Sequence, residues 1–495
     1  MIFIMKRFLM SSIIFILFLS MQAQNRDDLM KEFEAFSKEA FKEYSDFRKK
    51  ANDNYALFMR EAWISYKAQP KIPIPKIPDH PKPPVIIPEK EINTKPEDKQ
   101  LPYKEVIPTP VKIEQPKPLV TIPEINLPKE EWFDFSFFGT KCKVRLSNDD
   151  KFTLQKVDED GVADVWNILS QEKYNNVLRD CLNIRAQLSL CDWAYLQMLG
   201  ELAVTFYGGK TNEATLFQAF LYNQSGYKMR IARSATNKLY LLVASRHGIY
   251  KMSYFLIEGE KFYPLECKEE RLFICNKVYP QEQSLSLEIG KEQKFTLSPT
   301  PVRKLASKRY PDVSVSVVSN KNLIDFFNTY PQSFINNDVT TKWQFYANTV
   351  LSRNVQDILY PILKNAIVGK SEQEAANILI NFVQTAFTYG YDDKIWGGDR
   401  PFFADETIYY PYSDCEDRAI LYSRLVRDLM GLDVVLLYYP GHLATAVHFK
   451  TDIPGDYLLV NGIRYLVCDP TFIGANIGRT MPDVSNDEAK VVLLK

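Results

Sequence analysis

Histidine is the scarcest chemistry-bearing residue in this chain of 495, with four copies, at positions 80, 247, 442 and 448. No Cys-x-x-Cys pair and no His-Glu-x-x-His run accompany them, so a zinc-type centre is not expected, nor is any other metal or cofactor. Net charge is also missing. The 61 basic side chains balance 61 acidic ones without a long basic run, which argues against a nucleic-acid surface. The apolar run from Phe8 to Leu19 is short for a membrane span. Cysteine is sparse at seven, far too few for a disulfide scaffold in a chain of this size. An odd count leaves at least one thiol free. Cys181, Cys191 and Cys275 read as small buried apolar residues.

What is present divides into segments. Met5-Lys6-Arg7, the apolar run and Ser20-Met21-Gln22-Ala23-Gln24 form a secretory signal over residues 1–23, cut after Ala23. The chain therefore reads as exported, periplasmic or secreted, with no stable membrane span after cleavage. Residues 26–68 repeat every eleven positions: Phe33, Tyr44, Tyr55 and Tyr66; Phe36, Phe47 and Phe58; Ala40, Ala51 and Ala62. Eleven residues in three turns keep a stripe on one face of a nearly straight helix, which from Phe33 to Tyr66 runs about 50 Å. That helix either self-associates or binds an envelope partner, or else lies on the protein's own surface. Residues 69–128 follow with 16 of the 29 prolines and read as an extended, semi-rigid spacer that holds the helix away from the body.

The remainder is long enough for two or three folded units of α+β class. Residues 129–285 open with strands, turn helical from Val162 to Phe206 and become strand-rich after Gly226. Residues 286–335 alternate with period two and read as a β-rich connector of half-buried antiparallel strands. Residues 336–495 carry helical patterns, a turn-rich loop around Trp396-Gly397-Gly398-Asp399, a helix from Cys415 to Met430 stopped by Gly431, and a series of strands. Asn461-Gly462 marks a two-residue hairpin between the last two strands.

The chemistry concentrates in this last segment. Cys415 lies in Ser413-Asp414-Cys415-Glu416-Asp417-Arg418-Ala419, at the first turn of a helix, where unpaired amides and the helix dipole favour thiolate and can stabilise an oxyanion. Glu416 and Asp417 oppose the thiolate, which makes an imidazole partner essential. His442 stands at the opening of a strand read over Leu443–Phe449, and His448 lies about 20 Å along it on the same face, so both cannot serve. Asp469 follows in Val467-Cys468-Asp469-Pro470-Thr471. The order Cys, His, Asp and the flanking text resemble the transglutaminase-like branch of the papain-like cysteine enzymes, over residues 336–495 only.

The resemblance implies a papain-like fold and thiolate attack by Cys415 on an amide of a protein or peptide. It gives His442 as base and Asp469 as the residue that holds the imidazole. A simple three-strand meander instead brings Asp469 near His448. Plainer readings stay open beside these: Cys415 as a packing residue, Asp469 as a turn residue, Trp396 as loop packing rather than a groove wall. Either hydrolysis or crosslinking can follow the acyl-thioester, with water the default acceptor. A non-catalytic envelope binding or assembly module is the alternative.

Residues 129–285 also echo the C-terminal segment. Ala203-Val204-Thr205-Phe206-Tyr207-Gly208 resembles Ala386-Phe387-Thr388-Tyr389-Gly390. Ala214-Thr215-Leu216-Phe217 and Gly226 match Ala419-Ile420-Leu421-Tyr422 and Gly431 in one register, which sets Lys210 where Cys415 stands. The middle unit is therefore either a degenerate copy of the C-terminal one, without a nucleophile, or an unrelated α+β domain.

Overall fold

The computed structural model describes residues 26–74, 84–88, 91, 92, 94, 96–111, 114–127 and 129–495, with side chains of the first helix from Lys42 onward apart from Tyr44. The expected signal lies outside the described residues. Helix α1 (Arg26–Met59) opens them. Its last turns put Arg48, Ala51, Asn52, Tyr55, Ala56 and Met59 on one face, and all six are buried. That face docks on the protein's own middle unit: Trp166 Nε1 donates to Asn52 at 3.1 Å, and Arg48 donates to Gln224 at 2.8 Å. The Trp63 indole donates to the Met59 carbonyl at 3.0 Å and takes up an orphaned last-turn acceptor. The helix expected to reach Tyr66 thus stops at Met59, and Tyr66 sits in strand β1 (Ile64–Lys67).

The middle unit starts with a hairpin, β4 (Trp132–Phe137) and β5 (Thr140–Arg145), and continues with helices α2 (Glu159–Leu169), α3 (Asn175–Gln187), α4 (Asp192–Tyr207) and α5 (Asn212–Gln224). Strands β6 (Met229–Arg233), β7 (Leu239–Ala244), β9 (Phe255–Ile257), β10 (Glu260–Pro264) and β11 (Arg271–Ile274) form a sheet in the order β1-β11-β6-β7-β10-β9. Asp158 and Thr211 cap α2 and α5 through their side chains. Between the two large units, β8 (Gly248–Ile249) pairs with β14 (Ser333–Phe334), and β12 (Arg303–Ala306) pairs with β13 (Ser314–Val317). The connector is not wholly β: Asn320 caps a helix, α6 (Lys321–Asn328), which buries Leu323, Ile324, Phe326 and Phe327.

The C-terminal unit packs α7 (Lys342–Asn348), α8 (Arg353–Ile367), α9 (Glu372–Ala386), α10 (Asp392–Ile395), α11 (Ala404–Tyr409) and α12 (Cys415–Met430) against a sheet. Short β15 (Thr388–Tyr389) and β16 (Tyr412–Ser413) pair in parallel just before α12. Strands β17 (Asp433–Tyr439), β18 (His442–His448), β19 (Asp456–Val460), β20 (Ile463–Cys468) and β21 (Lys490–Leu493) follow. They are ordered β19-β20-β18-β17-β21, which is not a simple meander. Strand β20 inserts between β18 and β19 and runs antiparallel to both. The middle sheet has the same order and senses in β9-β10-β7-β6-β11. Each closes its outer hairpin with two residues of positive φ, Glu258-Gly259 and Asn461-Gly462, the backbone a tight two-residue turn requires.

The proline-rich segment is a strap, not the spacer expected from composition. Gln69 and Ile72 bond the middle unit at Tyr254 and Lys251, and Val85 and Ile87 bond Ile473. Strands β2 (Lys99–Gln100) and β3 (Glu105–Ile107) then pair with β19 and β21, the two edges of the C-terminal sheet. Proline is tolerated on such edges because only one side of the strand needs donors. Farther on, Asn176 exchanges two hydrogen bonds with the Ile125 backbone, back in the middle unit. Only five residue steps separate Gln100 from Glu105, a reach of about 17 Å. Six flat interstrand spacings would need about 29 Å, so the sheet has to curl. Leu101 crosses its outer face, packed with Val435, Leu437 and Val467.

Candidate active site

Cys415 is the first residue of α12, and Asp414 is its N-cap. The Asp414 amide donates to Asp417 Oδ2 at 3.2 Å, which fixes the turn into the helix. Arg418, one turn on, is buried and donates to the carbonyls of Gln384 and Phe387 at 3.3 and 2.9 Å. These bonds tie the helix start to the end of α9. Gly431, with φ of 64°, ends the helix and turns the chain into β17.

Helix α12 packs across β18, whose first residue is His442. Its ring is buried, and Nε2 lies 2.8 Å from Asp469 Oδ2. The order of strands brings this about. Cys468 pairs with Thr445 across β20 and β18, so the chain leaving β20 heads toward His442. A meander would have sent Asp469 to the other end. There His448 is half-buried and bonds the Arg464 carbonyl at 3.0 Å. The structure thus joins His442 to Asp469 and keeps His448 apart from them.

Both oxygens of Asp469 are committed, Oδ1 to the Thr471 amide at 2.8 Å and Oδ2 to the ring. Gln384 on α9 secures the loop behind it, donating to the Asp469, Phe472 and Ala475 carbonyls and accepting from the Gly474 amide. With Nε2–H donating to the carboxylate, Nδ1 is the acceptor nitrogen. That Nδ1 is buried and has no hydrogen-bond partner.

The sulfur of Cys415 is 3.1 Å from Glu416 Oε2 and lies against the amide of Leu443, the residue after His442. Burial first, then Glu416 and Asp414, push its thiol well above the ordinary cysteine range, while the Leu443 amide pulls the other way. In this arrangement the group is a thiol rather than a thiolate.

Carboxyls crowd this end of the helix. Oxygens of Asp392, Asp414 and Asp417 lie within 4.8 Å of one another, and so do those of Asp392, Asp399 and Glu416. Burial and then Glu416 raise Asp392 to about 8. Two of the acids hold the 390–403 loop in place: Asp392 accepts from the Arg400 amide at 2.6 Å, and Asp417 accepts from the Phe402 amide at 2.9 Å. Asp399 pairs with buried Lys342 at 2.6 Å. Trp396 is 37% exposed on this loop, under the Arg400 guanidinium at 4.3 Å and beside Tyr410.

Sequence reasoning passed over Gln384, Lys342, Asp392 and Asp399. Their roles come from contacts 57 to 91 residues away or from loop closure, and no local pattern marks them. The site of Cys415, by contrast, is signalled locally by Ser-Asp-Cys-Glu-Asp before a helical pattern.

Comparison with known protein families, with curated proteins and with solved structures returns no match to this chain.

Proposed function

We propose that this chain is an exported cysteine enzyme of transglutaminase-like type that cleaves amide or peptide bonds through an acyl-thioester. The observation that carries the reading is the Nδ1 of His442. It is buried, bare and opposite a carboxylate-bound Nε2, on the strand under the helix that begins with Cys415. A ring set this way is suited to take a proton from a neighbouring thiol.

The reaction then runs in two halves. Cys415 gives its proton to His442 Nδ1, and the sulfur attacks the substrate carbonyl carbon. Unpaired amides at the start of α12 offset the negative oxygen that forms. When the tetrahedral adduct collapses, the C–N bond breaks and the amine leaves with the proton from His442. Water, deprotonated by the same ring, cleaves the thioester and frees the acid and the thiol. Hydrolysis is favoured over crosslinking because water is the default acceptor. Since the thiol rests on Glu416, turning the sulfur toward the ring is the first step. The matching strand orders and hairpins support the middle unit as a degenerate copy of the same papain-like fold.

One observation favours a second reading, a non-catalytic envelope module. Cys415 is 3% exposed and its thiol is held protonated. A thiol-reactive electrophilic peptide probe separates the two. Labelling of Cys415 that is lost in His442→Ala supports the enzyme. Equal labelling in both proteins, or none in either, supports the module.

A further inference from the structure

Acyl transfer uses Cys415, His442 and Asp469 and draws on none of the five carboxyl groups gathered at the same helix end. Asp414, Glu416 and Asp417 are buried, as is Asp392, while Asp399 is largely so. Two overlapping oxygen triplets share Asp392: one with Asp414 and Asp417, the other with Asp399 and Glu416. We propose that Asp392, Asp399, Asp414, Glu416 and Asp417 bind one hard divalent cation of the calcium, magnesium or manganese kind, which pins the 390–403 loop to the start of α12. The site rests on the carboxylates alone and holds whether or not Cys415 is a nucleophile.

Three observations lead to it. First, Asp414 is 1% exposed and its Oδ1 receives no hydrogen bond from any N–H or hydroxyl donor, while its carboxyl lies against that of Glu416. A carboxylate oxygen in that position needs a proton or a cation. Second, the local charge does not balance. Lys342 answers Asp399, and Arg418 is near Asp414 and Asp417 but spends its donors on Ser413 and two carbonyls. The Arg400 guanidinium faces Asn328 and Glu406 instead. Lys342 and Arg418 thus stand among five acids, with Arg400 acting on Asp392 from its pairing with Glu406. Third, the donors are all oxygen, from two separate segments, at spacings that a six- to eight-coordinate cation can draw together. The scarcity of histidine and of paired cysteines excludes a soft-metal site but says nothing about an oxygen cage.

The test is equilibrium dialysis and calorimetry of the full chain, stripped with chelator and titrated with Ca²⁺, Mg²⁺ or Mn²⁺ alone at fixed ionic strength. Expected is one bound cation per chain, with a melting temperature that climbs with cation concentration. Affinity should fall at least tenfold in Asp392→Asn and in Glu416→Gln, and stay unchanged in Asp134→Asn, an exposed acid of the middle unit. Circular dichroism checks folding, and Asp399→Asn replaces any variant that fails it. Absence of saturable binding by the wild-type chain at millimolar cation overturns the proposal. So does binding of Zn²⁺ alone that disappears in Cys415→Ala.

Discussion

The middle and C-terminal units build the same five-strand order behind a helix, yet their corresponding corners could hardly differ more. In one register, glycines Gly226 and Gly431 end α5 and α12 with positive φ, and Lys210 stands opposite Cys415. Aligning the turns Glu258-Gly259 and Asn461-Gly462 sets Glu266 opposite Asp469. Lys210 and Glu266 are ion-paired, 67% and 72% exposed. Leu239 opens β7 where His442 opens β18. In the middle unit, then, an exposed ion pair of little energetic weight occupies the corner. In the C-terminal unit a buried imidazole and carboxylate occupy it, and the segment of roughly thirty residues between α9 and α12 has no counterpart in the middle unit. Strand order alone therefore does not make such a pair; enclosure of the corner is what differs.

The comparison can be broken most directly by labelling. His442→Ala should slow alkylation of Cys415 by about a thousandfold or more, whereas Lys210→Ala and Glu266→Ala should leave it untouched; mass spectrometry of the labelled peptide reads both. Asp469→Asn should cost about two to four orders of magnitude in the same assay, since the ring loses the partner that fixes its tautomer. A reactive thiol created by Lys210→Cys would contradict the argument from enclosure.

Stability sharpens the contrast further. Tyr55 is 1% exposed and packs edge-on against Trp166 and Tyr279, at 5.1 and 5.4 Å. Tyr55→Ala should cost about 3–5 kcal/mol in chemical denaturation. Lys210→Ala should stay within about 0.5 kcal/mol.

A pH effect is also expected from the C-terminal unit. Burial, opposed by Arg400, raises Glu406 to about 7, and burial raises Asp405 to about 6. A carboxyl raised on folding holds its proton more tightly in the native state. Its stabilising contribution is complete below about pH 4 and is lost as pH climbs through the folded value. The denaturation midpoint should therefore drop between pH 5 and pH 8, and drop less in Glu406→Gln.

Much of the local structure could be read from residues: the helix beginning at Cys415, its stop at Gly431, the Asn461-Gly462 turn. Pairing could not. Nothing in Ile463–Cys468 says that it slots between β18 and β19, yet that choice alone sends Asp469 to His442 instead of His448. The strap was misread for a related reason. Proline fixes an extended backbone whether a segment floats or adds to a sheet edge, and composition does not reveal which. Carboxyls at 414, 416 and 417 looked like ordinary helix-start charges, because Asp392 and Asp399 reach them only through the fold. The eleven-residue stripe continued past Met59 on paper, but Tyr66 found a strand partner in Leu272.

The strap also dictates when this molecule can finish folding. Lys104 bonds Ala489, and Tyr103 reaches Leu459 across 356 positions. A chain that emerges N-terminus first must hold Glu105–Ile107 in waiting until Lys490–Leu493 has been delivered. Contacts so remote in sequence make closure slow, and every molecule passes through a stage in which two sheet edges lie open to neighbours.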